Sequence, residues 1–190
     1  MGAHKPRFRA RVKRKSQDDS AIRRYAAIVD TVVKHYADSG FYCGFWRQVC
    51  FQVWSGDATE ERLRRLRDMF ATRTDTGPVL VLTRLMVSTK MYKVEANAKP
   101  IIADISERFA PRTKVSVQVV EQGGFVGAAA RAVLTTLSYL QKAKTHTVST
   151  MDAGADLIMA CAEGRFSREE LLAAAAEALA QWQAVSSPQP

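Results

Sequence analysis

The residues best suited to chemistry form two small groups. Ser88, Thr89 and Lys90 follow a short apolar run and bring two hydroxyls and an ammonium group together, which suits a phosphorylation site or a ligand contact. The alternative is an ordinary polar loop. A glycine-rich phrase at 123–127 precedes a helical pattern, where backbone N–H groups are able to bind phosphate. It lacks the spacing of known phosphate loops, so we favour a tight turn in which Gly127 permits close helix packing.

The histidines do not form a recognisable catalytic pattern. His4, His35 and His146 lie far apart, and no Ser-His-Asp order, His-Glu-x-x-His motif or paired-carboxylate phrase accompanies them. We therefore expect no enzymatic activity, no cofactor and no metal.

The cysteines and the hydropathy pattern suggest a compartment. Cys43, Cys50 and Cys161 have unrelated spacings, unlike a disulfide framework or a zinc site. We interpret all three as buried thiols in a reducing environment. No apolar run reaches the roughly 18 residues of a transmembrane helix, and no apolar segment follows the basic N-terminus as in a secretory signal. These patterns predict a cytoplasmic protein.

Positive charge is concentrated at the start of the chain. The net charge is +9, and residues 1–24 hold nine lysines and arginines but only two acids. We expect residues 1–19 to form a flexible arm, because like charges repel and apolar surface is scarce. Seven of its cations are candidates for binding a nucleic-acid backbone, where each displaces a counterion: Lys5, Arg7, Arg9, Arg11, Lys13, Arg14 and Lys15. The alternatives are an anionic membrane, an acidic protein or no specific partner.

The elements that position these groups follow from hydrophobic period and turn residues. We expect an antiparallel hairpin whose two strands are 27–36 and 41–54. Helices are expected at 58–72, near 101–109, at 125–142, from Met151 towards Gly164 and at 167–185. Further strands are expected at 79–82, at 115–120 and around Val148. The helix at 58–72 begins with a capping-box pattern at 57–60. Four arginines lie on it, balanced by neighbouring acids on a solvent face: Arg62, Arg64, Arg65 and Arg67.

Alternation of strands and helices determines the fold class. It predicts one α/β domain over residues 20–186, with a mixed four- to five-stranded sheet, helical crossovers and an extra C-terminal helix. Successive side chains of a strand point to opposite faces, so the six aromatic residues of 41–54 cannot all enter one core: Phe41, Tyr42, Phe45, Trp46, Phe51 and Trp54. Either a helix covers the second face, or part of it forms a partner surface, which would favour a homo-oligomer.

The order of elements and three phrases resemble the STAS-type domain of bacterial anti-sigma-factor antagonists. The phrases are 54–61, 119–125 with its continuation at 128–135, and 147–153. The resemblance covers about residues 41–162. It implies a regulatory docking module without catalysis, which contacts a protein partner or a second copy near Ser88, Thr89, Lys90 and Phe125. In the antagonists a phosphorylated Ser stands in an Asp-Ser-Ser/Thr-Gly phrase, and Val87-Ser88-Thr89-Lys90 has neither that Asp nor that Gly.

Overall fold

Six strands form a single mixed sheet in which the spatial order equals the order in the chain. The computed structural model describes residues 31–72, 77–87, 93–124, 126–128, 130–131 and 144–187. The strands are β1 (Val33–Ala37), β2 (Phe41–Trp46), β3 (Val49–Trp54), β4 (Val79–Leu85), β5 (Thr113–Val119) and β6 (Thr145–Val148). The α/β class is as predicted, and the sheet has more strands than the four to five expected.

Four long helices accompany the sheet within the described residues. They are α1 (Glu60–Thr72), α2 (Lys99–Phe109), α3 (Met151–Met159) and α4 (Arg168–Ser186). Residues 124, 126–128 and 130–131 are also helical, at the start of the helix predicted at 125–142. Pro100 lies in the first turn of α2, where its missing N–H costs no hydrogen bond. Helix α4 begins as predicted and has a capping box, in which Ser167 and Glu170 each accept from the other's backbone N–H.

The predicted strand 41–54 is wrong in one respect, because it is two strands. The chain reverses at Arg47-Gln48, and β2 pairs antiparallel with β3 from Phe41 opposite Trp54 to Trp46 opposite Val49. Arg47 has a φ of 49°, a conformation that such turns usually assign to Gly or Asn. The sequence therefore contains no recognisable turn signal at this point. Strand β1 does pair antiparallel with β2, as the hairpin prediction required, but it begins only at Val33.

Both faces of the sheet are covered by helices. Phe41, Phe45 and Cys50 lie in a core cluster with residues of α1 and α2, whereas Tyr42 and Trp46 lie in a second cluster with residues of α3 and α4. This arrangement follows from the topology. Strands β3, β4 and β5 advance in one direction, so right-handed crossovers place α1 and α2 on one face, and α3 and α4 are left for the other. Helical cover thus accounts for the aromatic residues of 41–54.

Two smaller expectations need correction. Helix α3 ends at Met159, several residues before the predicted terminator Gly164. Cys161 therefore follows the helix and is only partly buried, whereas Cys43 and Cys50 are fully buried. Burial raises the pKa of Cys43 to about 12. None of the described helices is both long and apolar enough to cross a membrane.

Candidate functional site

The carboxyl-terminal edge of the parallel strands contains an open cleft. Ligands of open α/β sheets commonly bind at this edge. A cleft of about 410 Å³ lies beyond the ends of β4 and β5. One wall is apolar and comes from 85–87, and the other comes from the turn 121–123; the lining residues are Leu85, Met86, Val87, Glu121, Gln122 and Gly123.

The partner-binding residues expected from the sequence border this cleft in the chain. Ser88, Thr89, Lys90 and Phe125 lie outside the described residues, and so do the seven arm cations Lys5 to Lys15. The cleft is lined by Val87, the residue before Ser88, and by Gly123, two residues before Phe125. The described residues that lie next to both expected segments in the sequence therefore line one cleft.

Hydrogen bonds hold the described residues on both sides of 88–92 to the end of β3 and the loop after it. Before the gap, the Met86 N–H donates to the Trp54 carbonyl at 2.7 Å. After the gap, the Lys93 N–H donates to the Asp57 carboxylate at 2.8 Å, and the Ala58 N–H donates to the Lys93 carbonyl at 2.9 Å. Met86 and Lys93 are thus held by neighbouring parts of the fold, which we call the frame.

The start of α1 belongs to the same frame, and its capping differs from the prediction. Thr59, not Asp57, caps the helix, because its hydroxyl accepts from the Arg62 N–H at 3.3 Å. The Glu60 N–H donates to the carboxylate of Glu95 at 2.9 Å. Asp57 is engaged by Lys93 instead. A residue 35 positions downstream therefore satisfies the first turn of the helix, which no local pattern reveals.

A partly buried ion pair secures the neighbouring turn between β1 and β2. The Asp38 carboxylate accepts from the backbone N–H groups of Gly40 and Phe41, both at 2.7 Å, and from the Tyr36 hydroxyl at 3.1 Å. Arg62 Nε donates to the same carboxylate at 2.8 Å. Burial raises the pKa of Asp38, but these hydrogen bonds and the Arg62 charge outweigh it, so the pKa lies below its ordinary value of 3.8.

Two glycines make room for the guanidinium of Arg62. A Cβ atom at Gly40 would lie 2.3 Å from Arg62 Nη2, and one at Gly56 would lie 2.7 Å from Nη1. Nη1 also donates to the Asp57 carbonyl at 2.7 Å. Arg62 is therefore not part of a solvent face as predicted; its side chain is 15% exposed and joins α1 to the turns after β1 and β3.

The other arginines of α1 follow the balanced pattern expected of a solvent face. Each of them forms an ion pair with a nearby acid. Arg64 pairs with Glu60 at 2.5 Å, Arg65 pairs with Glu61 at 3.7 Å and Arg67 pairs with Asp68 at 3.1 Å. Each is an exposed pair of small energetic value. They do not form an uncompensated basic surface.

Two arginines bond to residues that line the cleft. Arg84 pairs with Glu121, and its Nε is buried without a hydrogen-bond partner in the described part of the chain. Arg131 donates to the backbone carbonyls of Val120 and Gln122 at 2.9 and 3.0 Å. A Cβ at Gly127 would lie 1.7 Å from the Gln122 carbonyl oxygen. Gly127 thus permits the close approach predicted for it, and the neighbour is the turn before the helix.

The fold and its edge define an α/β domain with a six-stranded mixed sheet and an open cleft at the strand ends. A scan against protein-family models, a search of curated proteins and a search of solved structures each found no match to this chain. In the described residues no group of three His, Cys, Asp or Glu side chains is placed to hold a metal ion.

Proposed function

We propose that this protein is a non-enzymatic, STAS-like docking module of the cytoplasm that binds a protein partner at the carboxyl-terminal edge of its sheet. The contact residues are those expected from the sequence, Ser88, Thr89, Lys90 and Phe125, together with the walls of the 410 Å³ cleft at 85–87 and 121–123. The partner is a regulatory protein or a second copy of the chain.

The frame that holds Met86 and Lys93 is the observation that carries this proposal. Hydrogen bonds tie Met86 to Trp54 and Lys93 to Asp57 and Ala58, so the described residues on either side of 88–92 are held in place. Residues that are held in place before binding lose less entropy on binding. The apolar wall at 85–87 offers area for burial, and the exposed turn at Gln122 and Gly123 offers backbone groups for hydrogen bonds.

Affinity purification from the source cells tests the proposal with two matched double variants. Val87→Asp with Gln122→Arg places charge and bulk on both walls of the cleft. Ala173→Arg with Ala176→Asp makes the same kinds of change on the exposed side of α4, far from the cleft in the topology. We expect a defined protein to be retained by the wild-type chain and by the α4 variant, and lost from the cleft variant.

Two outcomes would count against docking at the cleft. The first is a partner retained equally by all three proteins, with thermal unfolding showing that all three are folded. The second applies if the partner is a second copy of the chain. It is a native mass of the wild-type chain equal to that of a monomer, or a higher native mass that does not fall to that of a monomer in the cleft variant.

A second candidate function rests on the basic arm. With seven cations between positions 5 and 15, the arm is suited to a nucleic-acid backbone, which would make the chain a nucleic-acid-associated protein. A salt titration of binding to RNA and DNA, on the full chain and on a version lacking residues 1–19, tests this. An unchanged log–log salt slope after the deletion would refute the arm's role.

A further inference from the structure

The amino-terminal edge of the sheet, opposite the cleft, carries a group of five cations: Arg47, Arg112, Lys114, Lys144 and Arg165. We call this group the basic edge. Arg47 lies in the turn before β3, Arg112 and Lys114 lie at the start of β5, Lys144 precedes β6, and Arg165 lies in the loop between α3 and α4. Parallel strands that start at one edge bring these positions together.

Hydrogen bonds and ion pairs connect three members of the basic edge, Arg47, Lys114 and Arg165. Arg47 Nη1 donates to the Arg165 carbonyl at 3.1 Å, and Arg165 Nη1 donates to the Gln48 side chain at 2.6 Å. Lys114 and Arg165 both reach the carboxylate of Glu163. The other two members flank Lys114 through the backbone, because Arg112 is two residues before it and the Lys144 carbonyl accepts from the Ser116 N–H at 2.9 Å.

The positive charge of this surface is only partly compensated. Within the described part of the chain, its ion pairs are with Glu163, which serves both Lys114 and Arg165, and with Glu170, which pairs with Arg47. Arg112 and Lys144 form no ion pair among these residues, and Lys144 is exposed. The positive charges of Arg112 and Lys144 are therefore not neutralised by a carboxylate of the described chain.

We infer that the basic edge is a second contact surface for the phosphate backbone of a nucleic acid, independent of the N-terminal arm. The argument is one of charge complementarity and shape. From β3 to β6 the edge spans three strand spacings, about 14 Å, and the strand starts that carry Arg47, Lys114 and Lys144 follow one another along this line. A regular linear array of phosphates matches such a line better than the few carboxylates of a globular surface. The inference does not depend on docking at the opposite cleft.

The test compares two double variants of the full chain that remove the same net charge. Arg112→Ala with Lys144→Ala removes the two unpaired cations of the basic edge. Lys93→Ala with Lys99→Ala removes two exposed cations near the other end of the sheet. Binding to a fluorescent DNA duplex is measured by anisotropy over a range of salt concentrations, and thermal unfolding confirms that each variant is folded.

Loss of two phosphate contacts should reduce the log–log salt slope by about 1.8. If affinities converge near 1 M salt, this corresponds to about 60-fold weaker binding at 0.1 M. We expect that loss in the basic-edge variant and less than about 3-fold in the control, with the arm present in both. Equal losses in the two variants, or none in either, would overturn the inference. Displacement of the duplex by polyglutamate at matched charge would also overturn it and assign the edge to an acidic protein.

Discussion

The ion pair between Asp38 and Arg62 gives a prediction about stability and pH. Replacing Asp38 by Asn keeps an oxygen for the N–H groups of Gly40 and Phe41 but turns an NH₂ group towards the donors of Arg62 and Tyr36. Hydrogen bonds to a charged group contribute about 1.5–3 kcal/mol each, and the Asp38 side chain is 28% exposed, so we expect a loss of about 2 kcal/mol at pH 7.

The pH dependence follows from the lowered pKa of Asp38. A carboxyl group whose folded pKa is depressed stabilises the protein above its unfolded pKa of about 3.9, and this stability is lost as pH falls through the folded pKa. The difference between wild type and Asp38→Asn should therefore be constant from about pH 5 to pH 7 and shrink below about pH 4.

Guanidinium chloride unfolding, followed by tryptophan fluorescence at several pH values, measures this difference. Asp68→Asn is the control, because Asp68 forms an exposed pair with Arg67 and should change stability by less than about 0.5 kcal/mol. A difference for Asp38→Asn that stays below about 0.5 kcal/mol at pH 7, or that persists unchanged at about pH 3, would refute the reasoning.

The space around Arg62 allows a coupling test of the same site. Gly40→Ala places a methyl group where the guanidinium lies, so in the wild-type background it should cost about 1–3 kcal/mol. In an Arg62→Ala background the same substitution meets no guanidinium, and we expect it to be neutral or slightly stabilising. Equal costs in both backgrounds, measured by denaturant unfolding, would show that the guanidinium does not occupy this space.

Three further predictions concern other parts of the fold. Ser167→Ala removes the capping box of α4 and should lower stability by about 1 kcal/mol, seen as a fall in Tm of about 3 °C. Gly127→Ala forces the preceding turn apart and should cost about 2 kcal/mol in denaturant unfolding, despite the better helix propensity of Ala. In thiol titration with an aromatic disulfide, the partly buried Cys161 should react in the native protein, and Cys43 and Cys50 only after unfolding.

Local patterns were enough for several elements. The continuous apolar run at 79–82 predicts a strand covered on both faces, and β4 is buried through Thr83. The Ser167 to Glu170 phrase predicts the start of α4, and the spacing of Leu63, Leu66 and Phe70 predicts α1. In each case the hydrogen bonds or the hydrophobic periodicity involve residues close together in the chain, so a short stretch of sequence is enough to predict the element.

The candidate site was less accessible to sequence reasoning because its bonds are long-range. Asp38 and Arg62 are 24 residues apart, and Glu60 and Glu95 are 35 residues apart. Arg62 resembles the other arginines of its helix in the sequence, and only its position opposite Gly40 and Gly56 distinguishes it. The hairpin turn at Arg47 was missed for a similar reason, because contacts with Arg165 and Glu170 accompany a backbone conformation that Arg rarely adopts.

The sequence by itself determined the α/β class, the segregation of charge into residues 1–24 and the starts of α3 and α4, since composition and short-range hydrogen bonding decide these properties. Only the tertiary structure decided which charged side chains are paired, where the cleft lies and which cations share an edge. Those features depend on strand order and on the direction in which each strand runs, and contacts between distant segments fix both.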